Sequence, residues 1–139
     1  MDKKIKKEMF EKALAVKKNA YVPYSKFPLG AAVLTKDGSI YTGVNIENAS
    51  FSLTNCAERS AIFTAVSEGK KQIEALLIVS STKEPVSPCG ACRQVIQEFA
   101  DGDIEIVMMT TDGKGLTMTS TELLPGAFSN NDLVKNNEL

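Results

Sequence analysis

The sequence contains no histidine, so the commonest general base and the commonest metal ligand are both missing. Whatever chemistry it performs must run on Cys, Asp, Glu, Lys, Arg or Tyr. No stretch approaches the roughly 18 apolar residues of a membrane span. The start Met1-Asp2-Lys3-Lys4-Ile5-Lys6-Lys7 is not followed by the apolar core of a secretory leader. These absences predict a cytoplasmic protein without a membrane partner. Basic runs are confined to the lysines between positions 3 and 7, and 16 Lys plus Arg balance 17 Asp plus Glu. The electrostatic footprint of a nucleic-acid polymer binder is therefore absent, and a small-molecule ligand is the better expectation. Cysteine is scarce and odd in number, three in all. Without an export signal that count argues against a disulfide framework and for metal or catalytic use.

What is present fits one domain over residues 1–139, since 43% apolar content is enough to bury a core. Ile5, Met9, Leu14 and Val16 fall at roughly helical spacing over 4–20, and the segment runs out at Tyr21-Val22-Pro23. Gly30 to Thr35 and Ile40 to Val44 flank Lys36-Asp37-Gly38, a hairpin signature. A helix follows from Cys56 to Gly69, then a buried strand from Ala75 to Ser80. The alternation repeats with a helix over Ala91–Phe99, a strand over Ile104–Met109, a short strand near Leu116–Met118 and a helical piece around Thr121–Leu124. The Asn-rich end from Asn130 reads as frayed. Alternating helices and strands predict an α/β layer structure with a mixed sheet.

Cys89-Gly90-Ala91-Cys92 is a C-x-x-C where a loop enters a helix, and Cys56 opens the other long interior helix. The first-turn field of a helix favours thiolate, the form that binds metal. Taken alone, the pair reads as a structural zinc half-site, a dithiol redox pair or a catalytic centre. Ligand counting discriminates. A closed structural zinc takes four Cys or His ligands, and this chain has three cysteines and no histidine, so one position should stay open, the mark of a catalytic zinc. Glu58, two residues after Cys56, can stand beside the metal without ligating it and exchange protons there. Its bland alternative is a first-turn glutamate that complements the helix dipole. Cys-x-Glu followed by Pro-Cys-x-x-Cys matches the three-cysteine form of the zinc deaminase signature.

With those residues in place the sequence resembles the cytidine deaminase family, the small homotetrameric type. The resemblance runs through five blocks in family order, at 21–27, 45–50, 54–59, 87–94 and 123–128. It implies a three-layer α/β/α sandwich with a mixed, about five-stranded sheet, and a homotetramer with active sites shared between subunits. The implied reaction is hydrolytic deamination of cytidine and deoxycytidine to uridine and deoxyuridine, with release of ammonia, in pyrimidine salvage. Cys56, Cys89 and Cys92 would hold one Zn2+ per chain, and Glu58 would carry protons between the attacking water, the pyrimidine N3 and the departing amine. Asn45 and Glu47 match positions that hold the ribose. Phe27 matches a ring that packs on the base, and Phe128 one that reaches into a neighbour's site. The backbone around Ala57, Ser87 and Cys89 matches the part that hydrogen-bonds the base. Bottom-up, Asn45 and Glu47 read equally well as solvated strand-edge residues, and the two phenylalanines as core. Phe51 stands where many relatives have tyrosine, which removes a hydroxyl from the implied subunit interface.

Three thiolates outweigh the two charges of zinc, so such a site needs a compensating cation. Arg59 is the candidate, with its guanidinium expected on one or two ligand sulfurs; its alternative is a surface salt bridge. The rival functions are a blasticidin S-type antibiotic deaminase of the same fold, a dithiol redox protein, and a noncatalytic zinc-binding module.

Overall fold

Five strands form one mixed sheet in the order β2-β1-β3-β4-β5, with β3 and β4 parallel and every other pair antiparallel. The strands span Leu29–Thr35 (β1), Ile40–Val44 (β2), Ile73–Ser80 (β3), Ala100–Thr110 (β4) and Gly115–Thr119 (β5). The helices are Lys3–Lys17 (α1), Ala57–Ser67 (α2), Gly90–Phe99 (α3), Ser120–Leu123 (α4) and Asn130–Asn137 (α5). The computed structural model describes residues 1–137. None of its described helices is long and apolar enough to cross a membrane.

Side-chain alternation along the central strands divides the core in two. Ala32, Leu34, Ala75, Leu77, Val79 and Val107 face Met9 and Ala13 of α1. Ala31, Val33, Leu76, Ile78, Ile106 and Met108 face α2 and α3, which contribute Ala57, Ala61, Ile62, Ala65 and Ile96. This is the expected α/β/α sandwich. It also explains why β3 reads as an unbroken apolar run, since a strand covered on both faces has no solvent side.

Two glycines set how closely the helices approach the hairpin. A Cβ on Gly30 would stand 2.1 Å from the carbonyl oxygen of Ala13, and one on Gly43 would stand 2.3 Å from the backbone nitrogen of Ala61. Both neighbours are helix backbone and cannot swing aside. Gly43→Ala is therefore expected to push α2 off β2 and lower stability by about 3 kcal/mol, or a melting temperature by roughly 10 °C. Thermal unfolding checks this, and an unchanged midpoint would mean that the helix yields freely.

The chain end departs from expectation. Asn130–Asn137 is helical rather than frayed. The Asp132 carboxylate accepts the backbone N–H of Ser129 at 2.8 Å, a local start signal in its first turn. β4 likewise begins four residues earlier than predicted, because Ala100 pairs with Ile73 across an irregularity in the register.

Candidate active site

Cys56 and Cys89 are the N-cap residues of α2 and α3, and Cys92 lies in the first turn of α3. Both helices lie on the same sheet face, so residues 33 positions apart in sequence meet. The Sγ atoms of Cys56 and Cys89 are 3.7 Å apart, those of Cys89 and Cys92 are 3.5 Å apart, and all three lie within 4.8 Å of one another. Zn–S bonds of about 2.3 Å at tetrahedral angles imply sulfur separations of about 3.8 Å. The thiols therefore form a face of the right size for zinc. Cys92 is fully buried and Cys89 is exposed, which leaves an approach from one side.

Glu58 is only 3% exposed, and its Oε1 has no hydrogen-bond partner among the described residues. Burial pushes its carboxyl up to about 7. A buried polar atom without a partner is costly in a folded chain, and here it lies on the turn that carries a metal ligand. The neighbouring Cys92 thiol and the Arg59 guanidinium pull the Cys56 thiol down, against the opposing effect of burial. Cys92 is pushed the other way by Cys56 and by burial. Arg59 Nη2 donates to Cys56 Sγ at 3.4 Å.

Residues 3–109 match the family model described as cytidine and deoxycytidylate deaminase zinc-binding region. The chain belongs to the cytidine deaminase family. It is similar to a cytidine deaminase from Sporosarcina psychrophila, 56% identical over 117 residues that cover 84% of this chain and 86% of that one. Its fold is similar to the crystal structure of cytidine deaminase from Burkholderia pseudomallei, with a TM-score of 0.85 and 41% identity over 92% of this chain and 100% of the other. A blasticidin-S deaminase from Bacillus cereus is more distant, 35% identical over 77% of this chain and 81% of its own length.

A zinc-dependent deaminase site needs ligands that converge and a proton carrier beside them. The thiol triad suits one zinc per chain. A second group of expected residues comes close through backbone pairing. Beyond β2 the chain bonds on both sides, Tyr21 N–H to Asn45 O at 3.0 Å, and Ile46 N–H to Asn55 O at 2.9 Å. Asn45 and Glu47 are thereby set beside the segment that ends in Cys56. The Asn45 amide and one carboxylate oxygen of Glu47 are already engaged within the chain. Asn45 Nδ2 donates to Phe27 O at 2.7 Å and its Oδ1 accepts from Leu29 N–H at 2.9 Å. Glu47 Oε1 accepts the N–H groups of Tyr24 and Ser25, each at 3.0 Å, and the Ser25 side chain together with these N–H groups holds its carboxyl below the usual carboxylate range. The two side chains thus brace the loop that presents Phe27, which is itself exposed.

A pocket of about 410 Å³ opens here, lined by Tyr24, Ser25, Glu47, Phe51 and Thr54. Phe51 is 78% exposed and meets Tyr24 edge-on. Ala57 is a fully buried first-turn residue, and first-turn N–H groups of a helix have no intrahelical acceptor. The Phe128 ring is exposed, and its carbonyl accepts from Gln94 Nε2 at 2.9 Å. Ser87 is exposed and its hydroxyl accepts from Arg93. The roles of Tyr24, Ser25 and Arg93 were missed in the sequence because they depend on contacts across the fold; only their membership of two recognised blocks pointed to them.

Proposed function

We propose that this chain deaminates cytidine and deoxycytidine hydrolytically, as a single catalytic domain acting in the cytoplasm in pyrimidine salvage. The observation that carries the reading is the buried Glu58 carboxyl, its Oε1 without a partner, on the helical turn that brings Cys56 to a three-thiol face of zinc dimensions. Cys56, Cys89 and Cys92 hold the zinc. When bound, zinc is a Lewis acid that activates water as the nucleophile toward C4 of the ring. Glu58 takes a proton from that water and delivers it to N3, then takes the second proton from the hydroxyl added at C4 and passes it to the departing amine, so that nucleoside and water give the uracil nucleoside and ammonia. Its dry setting favours the neutral acid after proton uptake, which suits a group that serves first as base and then as acid.

The other residues bind and orient. Asn45 and Glu47 hold the ribose, Phe27 packs on the base, and the backbone at Ala57, Ser87 and Cys89 hydrogen-bonds it. Phe128 completes the site of a neighbouring subunit in a homotetramer. The exposed apolar side chains Tyr21, Ile46, Phe51, Leu53 and Phe128 supply material for such an interface. Arg59 offsets the surplus charge of the thiolates through Cys56. Arg59→Gln is expected to keep full zinc and lose about tenfold in kcat. Removing a cation raises the pKa of the acids beside it, so the acidic limb of the pH–rate profile should move to higher pH. Unchanged turnover and profile would remove this role.

The test is ultraviolet conversion of cytidine and deoxycytidine by zinc-replete protein. No conversion with one zinc bound per chain would favour the antibiotic deaminase or the binding module. A chain without stoichiometric zinc would favour the dithiol redox reading.

A further inference from the structure

Arg93, in the second turn of α3, makes three hydrogen bonds to three different acceptors. Nε donates to Pro88 O at 2.7 Å, Nη2 to Ser87 Oγ at 2.8 Å, and Nη1 to Leu123 O at 2.8 Å. Two of these fall on the loop immediately before Cys89, and the third falls on the last residue of α4. The next residue, Gln94, donates to Phe128 O at 2.9 Å. No carboxylate among the described residues lies within ion-pair distance of the Arg93 guanidinium. A charged donor directed wholly at neutral acceptors forms stronger hydrogen bonds than a neutral donor would, and its planar fork fixes their directions. Pro88 is buried and its ring fixes φ at the residue before Cys89, and the hydrogen bond from Arg93 fixes the direction of its carbonyl.

We propose that Arg93 and Gln94 form a positioning clamp, which fixes the Ser87–Cys89 loop against the Leu123–Phe128 segment and so sets the substrate-facing rim of the site. The clamp rests on the deaminase reading for its effect on substrate, though its geometric content stands apart from it. α3 carries two of the three thiols on one turn and grips both flanking segments from the next. A single rigid helix therefore holds the Cys89 and Cys92 sulfurs, the loop backbone and the Phe128 carbonyl in one frame. Arginine is required because lysine, a point charge on a flexible stem, cannot satisfy three acceptors in fixed directions.

Four variants test the clamp: Arg93→Gln, Arg93→Lys, Gln94→Ala and Ser87→Ala. Arg93→Gln is expected to raise KM for cytidine about tenfold, with kcat changed much less and one metal still bound per chain. Arg93→Lys should recover little of the loss. Ser87→Ala removes only one acceptor and should raise KM a few-fold, and adding it to Arg93→Gln should cost nothing further because the shared bond is already gone. Gln94→Ala should raise KM by freeing the Phe128 carbonyl. With cobalt(II) in place of zinc, the thiolate charge-transfer bands of Arg93→Gln should shift, since the loop that leads into Cys89 has lost its anchor.

Wild-type KM and an unshifted cobalt spectrum in folded Arg93→Gln would overturn the clamp, as would independent, multiplicative effects of Arg93→Gln and Ser87→Ala. Should Arg93→Gln fail to fold, unchanged KM in both Ser87→Ala and Gln94→Ala overturns it. If the wild-type chain does not turn over cytidine, the functional reading falls, and the cobalt spectra alone decide the clamp.

Discussion

Glu58→Gln is expected to lower kcat for cytidine by about 10³-fold, roughly 4 kcal/mol of barrier, while KM and one zinc per chain are retained. The amide keeps the size and shape of the carboxyl and cannot carry a proton between water and N3. Glu58 ligates nothing in this arrangement, so the thiols lose no partner when it is changed. Stability should hold or rise slightly. The carboxyl is 3% exposed with an unpartnered oxygen, and burial already disfavours its charged form. Turnover, metal content and melting temperature measured on one preparation decide the matter. Activity above about a tenth of wild type would place the proton carrier elsewhere.

Cys92→Ala should abolish zinc binding and turnover together, leaving a folded chain. The residue is fully buried at the start of α3, and alanine suits both a helix and a dry core, so the substitution removes one ligand and little packing. Two remaining thiols are too few for a zinc site of this kind. The same linkage predicts that chelating zinc from the wild-type protein lowers its melting temperature by about 10 °C, because metal at a thousandfold excess over its dissociation constant stabilises by about 4 kcal/mol. Metal analysis beside calorimetry provides the check. A Cys92→Ala protein with full zinc, or a melting temperature indifferent to chelation, would mean that the thiol cluster is not the metal site.

The variants in the two predictions differ in what they separate. Glu58→Gln takes the proposed proton carrier away from an intact thiol cluster, and Cys92→Ala takes a proposed metal ligand away from beside an intact Glu58. Together they tell chemistry apart from assembly.

Much of this was legible in the sequence because the signals are local. The Lys36-Asp37-Gly38 turn prescribes the β1–β2 hairpin, and helical spacing of apolar residues prescribes α1, α2 and α3. Cys56 and Glu58 lie on one turn, as do Cys89 and Cys92, so each half of the candidate centre is written in a few consecutive residues. The absence of histidine, combined with three cysteines, leaves a zinc site one ligand short of closure. Ligand counting needs no structure at all.

Other features exist only after folding. The convergence of Cys56 with Cys89 depends on α2 and α3 packing on the same face of the sheet, a consequence of which strand faces are covered rather than of any short motif. The bracing of the Phe27 loop by Asn45 and Glu47, and the three-way grip of Arg93, are hydrogen bonds between groups up to 30 residues apart. The α5 helix was missed because its composition suits a frayed end, whereas Asp132 caps Ser129 in place. Local patterning by itself determined the first three helices, the order of the strands along the chain, the ligand types and the kind of chemistry. Only tertiary packing decided which distant groups meet, because long-range contacts are selected by burial across the whole sheet and leave no periodic trace in the chain.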